Sequence, residues 1–111
     1  MSYKLGKEGG KMGKILSDEQ KEKYTKLLSE NLAMLRAKAG ITQEKLSNLL
    51  GISRQTYSAM ESQGKAISWN TYLSLIFIYD NIPETRAVMH KLDIIPSDLI
   101  SNLSRSDTKD T

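Results

Sequence analysis

Cysteine is absent from the 111 residues, which excludes a disulfide framework, a thiolate nucleophile and any Cys-containing zinc site. Histidine occurs once, at His90, so the usual His-centred metal and acid/base constellations lack parts. No run approaches the roughly 18 uninterrupted apolar residues of a membrane-spanning helix, and the opening MSYKLGKEGGKMGK has no apolar stretch of the signal-peptide kind. A cytoplasmic location is the expectation. A Gly-rich phosphate loop is also missing, and the 13 acidic residues are scattered among 16 basic ones rather than paired. The sequence therefore leads us to expect no enzyme, no cofactor and no metal.

What is present fits a folded chain. Hydrophobic residues make up 39% and charged residues 26%, near the soluble globular average, and the length suits one core rather than two. The net charge of +3 permits a polyanionic partner but is too small to demonstrate one. Its distribution is uneven. Residues 1–26 carry seven lysines against four acids, or +3, whereas residues 68–111 carry four basic and six acidic residues, or −2.

Residues 1–16 read as a flexible basic N-terminal arm, too poor in apolar side chains to pack. It serves either as a solvated tail or as an arm tracking DNA phosphates. Ser17 and Gln20 have capping-box spacing, and Tyr24, Leu28, Leu32, Leu35 and Ala39 then recur at helical intervals until Gly40. This pattern fits one helix of about twenty residues or two shorter ones. Thr42 and Ser53 each suit an N-cap, the first before Leu46, Leu49 and Leu50, the second before Tyr57 and Met60. Ser68 suits a third, ahead of Trp69, Tyr72, Leu73, Leu75, Ile76, Phe77, Ile78 and Tyr79, a segment apolar on most sides that belongs at the centre of a bundle or under a subunit contact. Pro83 suits a further helix start, with Val88, Met89 and Leu92 inward, and Ser97 a last short helix with Leu99, Ile100 and Leu103. Residues 104–111 read as disordered.

The stretch GITQEKLSNLLGISRQTYSAME, residues 40–61, carries the functional signal. At about 100° per residue, Tyr57 and Met60 define the inner side of its last segment, and Arg54, Gln55, Ser58, Ala59 and Ser62 fall opposite. A guanidinium and a carboxamide are the side chains best able to form bidentate bonds with guanine and adenine edges in the major groove. Any exposed helix face is polar, so spacing must decide. Counting Gln43 as first, a small residue is fifth (Ser47), a glycine ninth (Gly51), and apolar anchors are fifteenth and eighteenth (Tyr57 and Met60). This is the helix-turn-helix pattern, in which one helix crosses the DNA backbone and the next enters the groove.

The run LRAKAGITQEKLSNLLGISRQTYSAMESQGK, residues 35–65, resembles the DNA-binding domain of the phage repressor, Cro and xenobiotic-response-element (XRE) regulators. The likeness rests on Leu35-Arg36, Gly40, Thr42-Gln43, Leu46, Gly51, Ser53-Arg54-Gln55, Met60-Glu61 and Gly64-Lys65. It implies an all-α, compact five-helix, lambda-repressor-like domain over residues 17–95 with its helix-turn-helix at 42–62, followed by a short helix and disordered tail over 96–111. It also implies base contacts by Arg54, Gln55, Ser58 and Ala59, and phosphate contacts by Gln43, Ser53, Thr56 and Lys65, with helix capping the alternative for Ser53. Arg36 and Glu61 match positions that pair as ions. Two positions depart from the family pattern: Ser47 replaces the usual alanine, and Tyr57 replaces a branched aliphatic residue, bringing a hydroxyl that could reach a phosphate. The stretch SQGKAIS is also longer than the family's common loop.

The implied function is sequence-specific binding of double-stranded DNA by a transcriptional regulator, in its simplest form a dimeric repressor on a twofold-symmetric operator. Met89, Ile94, Ile95, Leu99, Ile100 and Leu103 either form the dimer surface or complete the core. The alternative function is a protein-interaction module of the same fold, an antitoxin or a regulator-sequestering protein, whose C-terminal segment binds a protein partner.

Overall fold

The computed structural model describes residues 16–97 and 100–101. The expectations for residues 1–15, Leu99, Leu103 and 104–111 lie outside these residues. The described part is all-helical: α1 (Asp18–Ser29), α2 (Leu32–Ala39), α3 (Gln43–Leu50), α4 (Arg54–Ser62), α5 (Trp69–Asp80) and α6 (Pro83–Lys91). Helical turn also occurs at Ser97 and at residues 100–101, where the Ile100 amide donates to the Pro96 carbonyl at 3.1 Å. Ser97 thus lies within that turn rather than capping it.

Local chemistry accounts for most of these limits. Ser17 closes a full capping box, its Oγ accepting from the Gln20 amide at 3.1 Å while Gln20 Oε1 accepts from the Ser17 amide at 2.8 Å. The apolar pattern continues through residues 28–35, yet the helix divides in two. At Asn31 the amide donates to Leu28 in a tightened turn, and the Asn31 side chain donates to the Leu27 carbonyl at 2.8 Å. A side-chain amide supplying a backbone carbonyl in this way offers the chain an alternative to continuing the α-ladder. The expected five-helix domain therefore has six helices. Thr42, Ser53 and Ser68 cap α3, α4 and α5, each accepting from the amide three residues on.

The helices meet around one core. Tyr24 and Leu28 come from α1, Leu32 and Leu35 from α2, Leu46 from α3, Tyr57 and Met60 from α4, Tyr72, Leu75 and Tyr79 from α5, and Met89 from α6. Ile94 and Ile95 close it from the segment after α6, where the Tyr72 hydroxyl donates to the Ile94 carbonyl at 2.6 Å. Met89, Ile94 and Ile95 are thus core residues, between 0% and 5% exposed within the single chain, and have no surface to offer a second copy. Ile100, at 48% exposed, does. Thr85 is buried on the inner side of α6 and donates to the Tyr79 carbonyl at 2.8 Å, whereas Leu92, expected inward, is 41% exposed. Thr85 and Met89 stand one helical turn apart and define the inward stripe, and Leu92 falls beyond the helix end. Burial raises the pKa of the Tyr72 and Tyr79 hydroxyls above the ordinary phenol value.

Helix α5 is apolar nearly all round, but its sides differ. Tyr72, Leu75 and Tyr79 are buried, while Leu73 and Phe77 are 36% and 71% exposed. At its start Trp69 stacks on Tyr72 with ring centroids 4.7 Å apart, and the Lys21 ammonium lies 5.6 Å from the Trp69 ring. None of the described helices is long and apolar enough to cross a membrane. Among the described residues no group of three or more His, Cys, Asp and Glu is placed to hold a metal ion.

Candidate nucleic-acid interface

The turn between α3 and α4 is three residues long, Gly51 to Ser53. Gly51 sits at φ 75°, in the left-handed region, and the Ile52 amide donates back to the Ser47 carbonyl at 3.1 Å. That is a Schellman-type stop, and only glycine enters it without a Cβ penalty. The Ser47 side chain is 2% exposed and donates to the Glu44 carbonyl at 2.9 Å, so its hydroxyl is satisfied within α3. The serine therefore serves at this crowded crossing as a small residue with its own partner.

Beyond the turn, α4 presents two faces. Tyr57 is 0% and Met60 3% exposed. Arg54, Gln55 and Ser62 are exposed on the opposite side, and Ser58 and Ala59 are half-buried beside them. Arg54 and Lys65 make no ion pair among the described residues. The guanidinium is thus held at the start of a short helix, on a turn of fixed geometry, with its donors facing outward. Ser53 Oγ accepts from the Thr56 amide at 3.0 Å and donates to Thr56 Oγ1 at 2.9 Å. These two side chains cap the helix and satisfy each other. After α4, Gly64 at φ 67° turns the chain so that the Lys65 amide reaches the Ala59 carbonyl at 3.2 Å, and the Lys65 side chain stands in solvent.

Behind this surface lies a polar knot built on Glu61, whose side chain is 8% exposed. Arg36 Nε donates to Glu61 Oε2 at 2.6 Å and Arg36 Nη2 to Oε1 at 3.2 Å, while Arg36 Nη1 donates to the Ile41 carbonyl at 3.1 Å. The Tyr57 hydroxyl donates to Oε2 at 2.6 Å and Gln43 Nε2 to Oε1 at 3.1 Å. One carboxylate thereby joins α2, the start of α3, and α4. Burial on its own pushes the Glu61 carboxyl up, but the hydrogen bonds from Arg36, Tyr57 and Gln43 outweigh it and hold the group below the ordinary carboxylate value. Arg36 is raised in turn, chiefly by its hydrogen bond to Glu61.

Two features of the knot escape the sequence reading. The Tyr57 hydroxyl is directed into the interior and bonded to Glu61, so it does not reach a phosphate, and burial followed by that bond raises its pKa. Gln43 is tied to Glu61 as well as being half-exposed. Tyr57 and Glu61 stand four apart on one helix, a spacing that brings side chains together, so the first contact was legible in principle. The bond between Gln43 and Glu61 spans 18 residues and had no local signal.

In comparisons with known proteins, residues 32–68 match the family model described as Helix-turn-helix. No curated protein and no solved structure matches the chain. The match runs from the start of α2 to the cap of α5 and encloses both the turn and the Glu61 knot. Residues 32–68 are thus similar to helix-turn-helix segments of the XRE type, a likeness that supports DNA binding and a part in transcription regulation.

Proposed function

We propose that the protein is a sequence-specific repressor that acts as a dimer on a twofold-symmetric operator, with α4 in the major groove. The observation that carries this reading is the outward face of α4: Arg54 and Gln55 exposed at the head of a helix whose other face is locked by Tyr57, Met60 and Glu61. In this reading Arg54 and Gln55 bond base edges, Ser58 and Ala59 meet the groove floor, and Gln43, Thr56 and Lys65 contact phosphates. Ser53 acts as the helix cap. The net charge of residues 42–67 is small: Lys45, Arg54 and Lys65 against Glu44 and Glu61 give +1. Weak nonspecific binding follows, which leaves discrimination to the base contacts. Two copies would read half-sites about 34 Å apart along the duplex. Among the described residues, Leu49, Leu73, Phe77, Leu92 and Ile100 are the large exposed apolar side chains, and those of α5 and the C-terminal segment are available to a second copy.

The test is selection of bound duplexes from a random library, with wild type and Arg54→Ala/Gln55→Ala in parallel. A palindromic motif that the variant loses supports the reading. If wild type selects no motif, the protein-interaction alternative, in which the C-terminal segment engages a protein partner, takes its place.

A further inference from the structure

Glu61 holds more than an ion pair. A carboxylate only accepts hydrogen bonds, so of the two ends of the Gln43 carboxamide only the NH2 can face it, and Gln43 Nε2 lies 3.1 Å from Glu61 Oε1. The carboxylate itself is fixed by Arg36 at 2.6 Å and Tyr57 at 2.6 Å. A Gln side chain at the exposed first turn of a helix ordinarily samples several rotamers and can turn its amide end for end. Here one N–H is anchored from behind, and the second N–H of the same nitrogen is left for an acceptor in front of α3. The first-turn backbone amides of α3 have no carbonyl partner within the helix, and that of Lys45 is taken by Thr42 Oγ1.

We infer that Glu61 is a positioning residue for DNA binding: it orients the Gln43 carboxamide so that its free N–H meets a phosphate oxygen, and so couples the backbone contact of α3 to the placement of α4. This rests on the DNA-reading role proposed for α4. Because Glu61 is carried by α4 and Gln43 by α3, the bond makes the register of the phosphate contact depend on the helix that reads bases. A neutral donor neutralises no phosphate charge, so its contribution is nearly independent of salt, unlike that of a lysine or arginine.

The experiment is a double-mutant cycle on binding to the selected duplex, with Gln43→Ala, Glu61→Gln and the pair, each measured well below its melting temperature. Gln43→Ala is expected to weaken the selected and a scrambled duplex alike, by about tenfold for loss of a hydrogen bond to a charged acceptor, with an unchanged salt slope. Glu61→Gln is expected to weaken wild type by a similar factor but the Gln43→Ala protein by less than about twofold, since the energy lost passes through the same contact. A Glu61→Gln effect of equal size in both backgrounds would make the residue merely structural and overturn the inference, as would a Gln43→Ala protein that binds like wild type.

A second readout does not need the Glu61 variant to fold. In wild type one Gln43 side-chain NH2 proton, the one bonded to Glu61, should resonate away from the position of a solvent-exposed carboxamide, and the other should shift on adding duplex. Two resonances at the positions of a free carboxamide, unmoved by duplex, overturn the inference. Failure here with Arg54→Ala/Gln55→Ala still abolishing the selected motif removes only the positioning role, whereas failure to select any motif removes the DNA-reading role and the inference with it.

Discussion

Replacing Arg36 by methionine separates the two opposing contributions at Glu61. The substitution keeps most of the side-chain bulk and removes the cation, leaving a carboxylate that is 8% exposed with only Tyr57 and Gln43 as donors. Severing a buried pair costs about 3–5 kcal/mol, whereas a surface pair is worth about 0–1. The Arg36 side chain retains 24% of its exposure, which places the expected cost near the lower end, about 3 kcal/mol. For a domain of this size that is a fall in melting temperature of roughly 12–24 °C. The pH dependence is the sharper check. In the wild type the Glu61 carboxyl is held below the ordinary carboxylate value of 4.5, so the stability it contributes is complete above that value and is lost as pH falls through the folded-state pKa. In Arg36→Met the burial contribution is left opposed by fewer partners and the carboxyl is raised, so protonation relieves the variant where it harms the wild type. Urea denaturation followed by Trp69 fluorescence and far-UV circular dichroism from pH 7 to pH 3.5 should show the gap between the two proteins beginning to close above about pH 4.5, where the carboxyl of the variant protonates, and closing further below it, where that of the wild type does. A gap that stays constant across that range, or a neutral-pH loss under about 1 kcal/mol, would refute the reasoning.

Other consequences can be checked with the same assays. Gly51→Ala should cost about 1–2 kcal/mol from the left-handed backbone alone, because a Cβ at that position meets nothing within 4 Å; a loss above about 3 kcal/mol would mean that the turn is sterically closed. Tyr57→Phe should cost about 1.5–3 kcal/mol for the lost bond to a charged acceptor while DNA specificity, if set by the outer face of α4, is unchanged. The pKa values of Tyr57, Tyr72 and Tyr79 are all raised in the folded state from 10.0, so the stability they contribute is present below pH 10 and lost as pH rises above it, with a slope approaching 4 kcal/mol per pH unit when all three ionise on unfolding. Ultraviolet titration of the native protein should accordingly show the phenolate absorbance of these three tyrosines appearing late and together with unfolding.

How much of this was legible in the sequence depends on the range of the interaction. Ser17 with Gln20, Thr42, Ser53 and Ser68 act through atoms three residues away, and every one of these caps forms as the local pattern indicates. The apolar positions of α4 likewise separate its two faces, because helical periodicity alone determines them. The break at Asn31 was not resolved, since Leu28, Leu32 and Leu35 maintain their spacing across it, and the change is marked by the Asn31 amide bond to Leu28 and side-chain bond to Leu27. Met89, Ile94 and Ile95 were ambiguous for a different reason: an apolar side chain that closes a core and one that joins two subunits have the same composition. Burial within one chain resolves it. The Gln43 bond to Glu61 was least accessible, because it exists only once α3 and α4 have been brought together across the Gly51 turn.

Reading of base sequence by the exposed face of α4 is tested most directly by fluorescence anisotropy with the selected duplex and a scrambled duplex of equal length, comparing wild type with Arg54→Ala/Gln55→Ala at two salt concentrations. The variant is expected to lose the preference for the selected duplex, by about 1–3 kcal/mol for each base contact removed, while it melts like wild type and still binds both duplexes weakly with a similar salt response. A variant that keeps the full preference would contradict that role of α4.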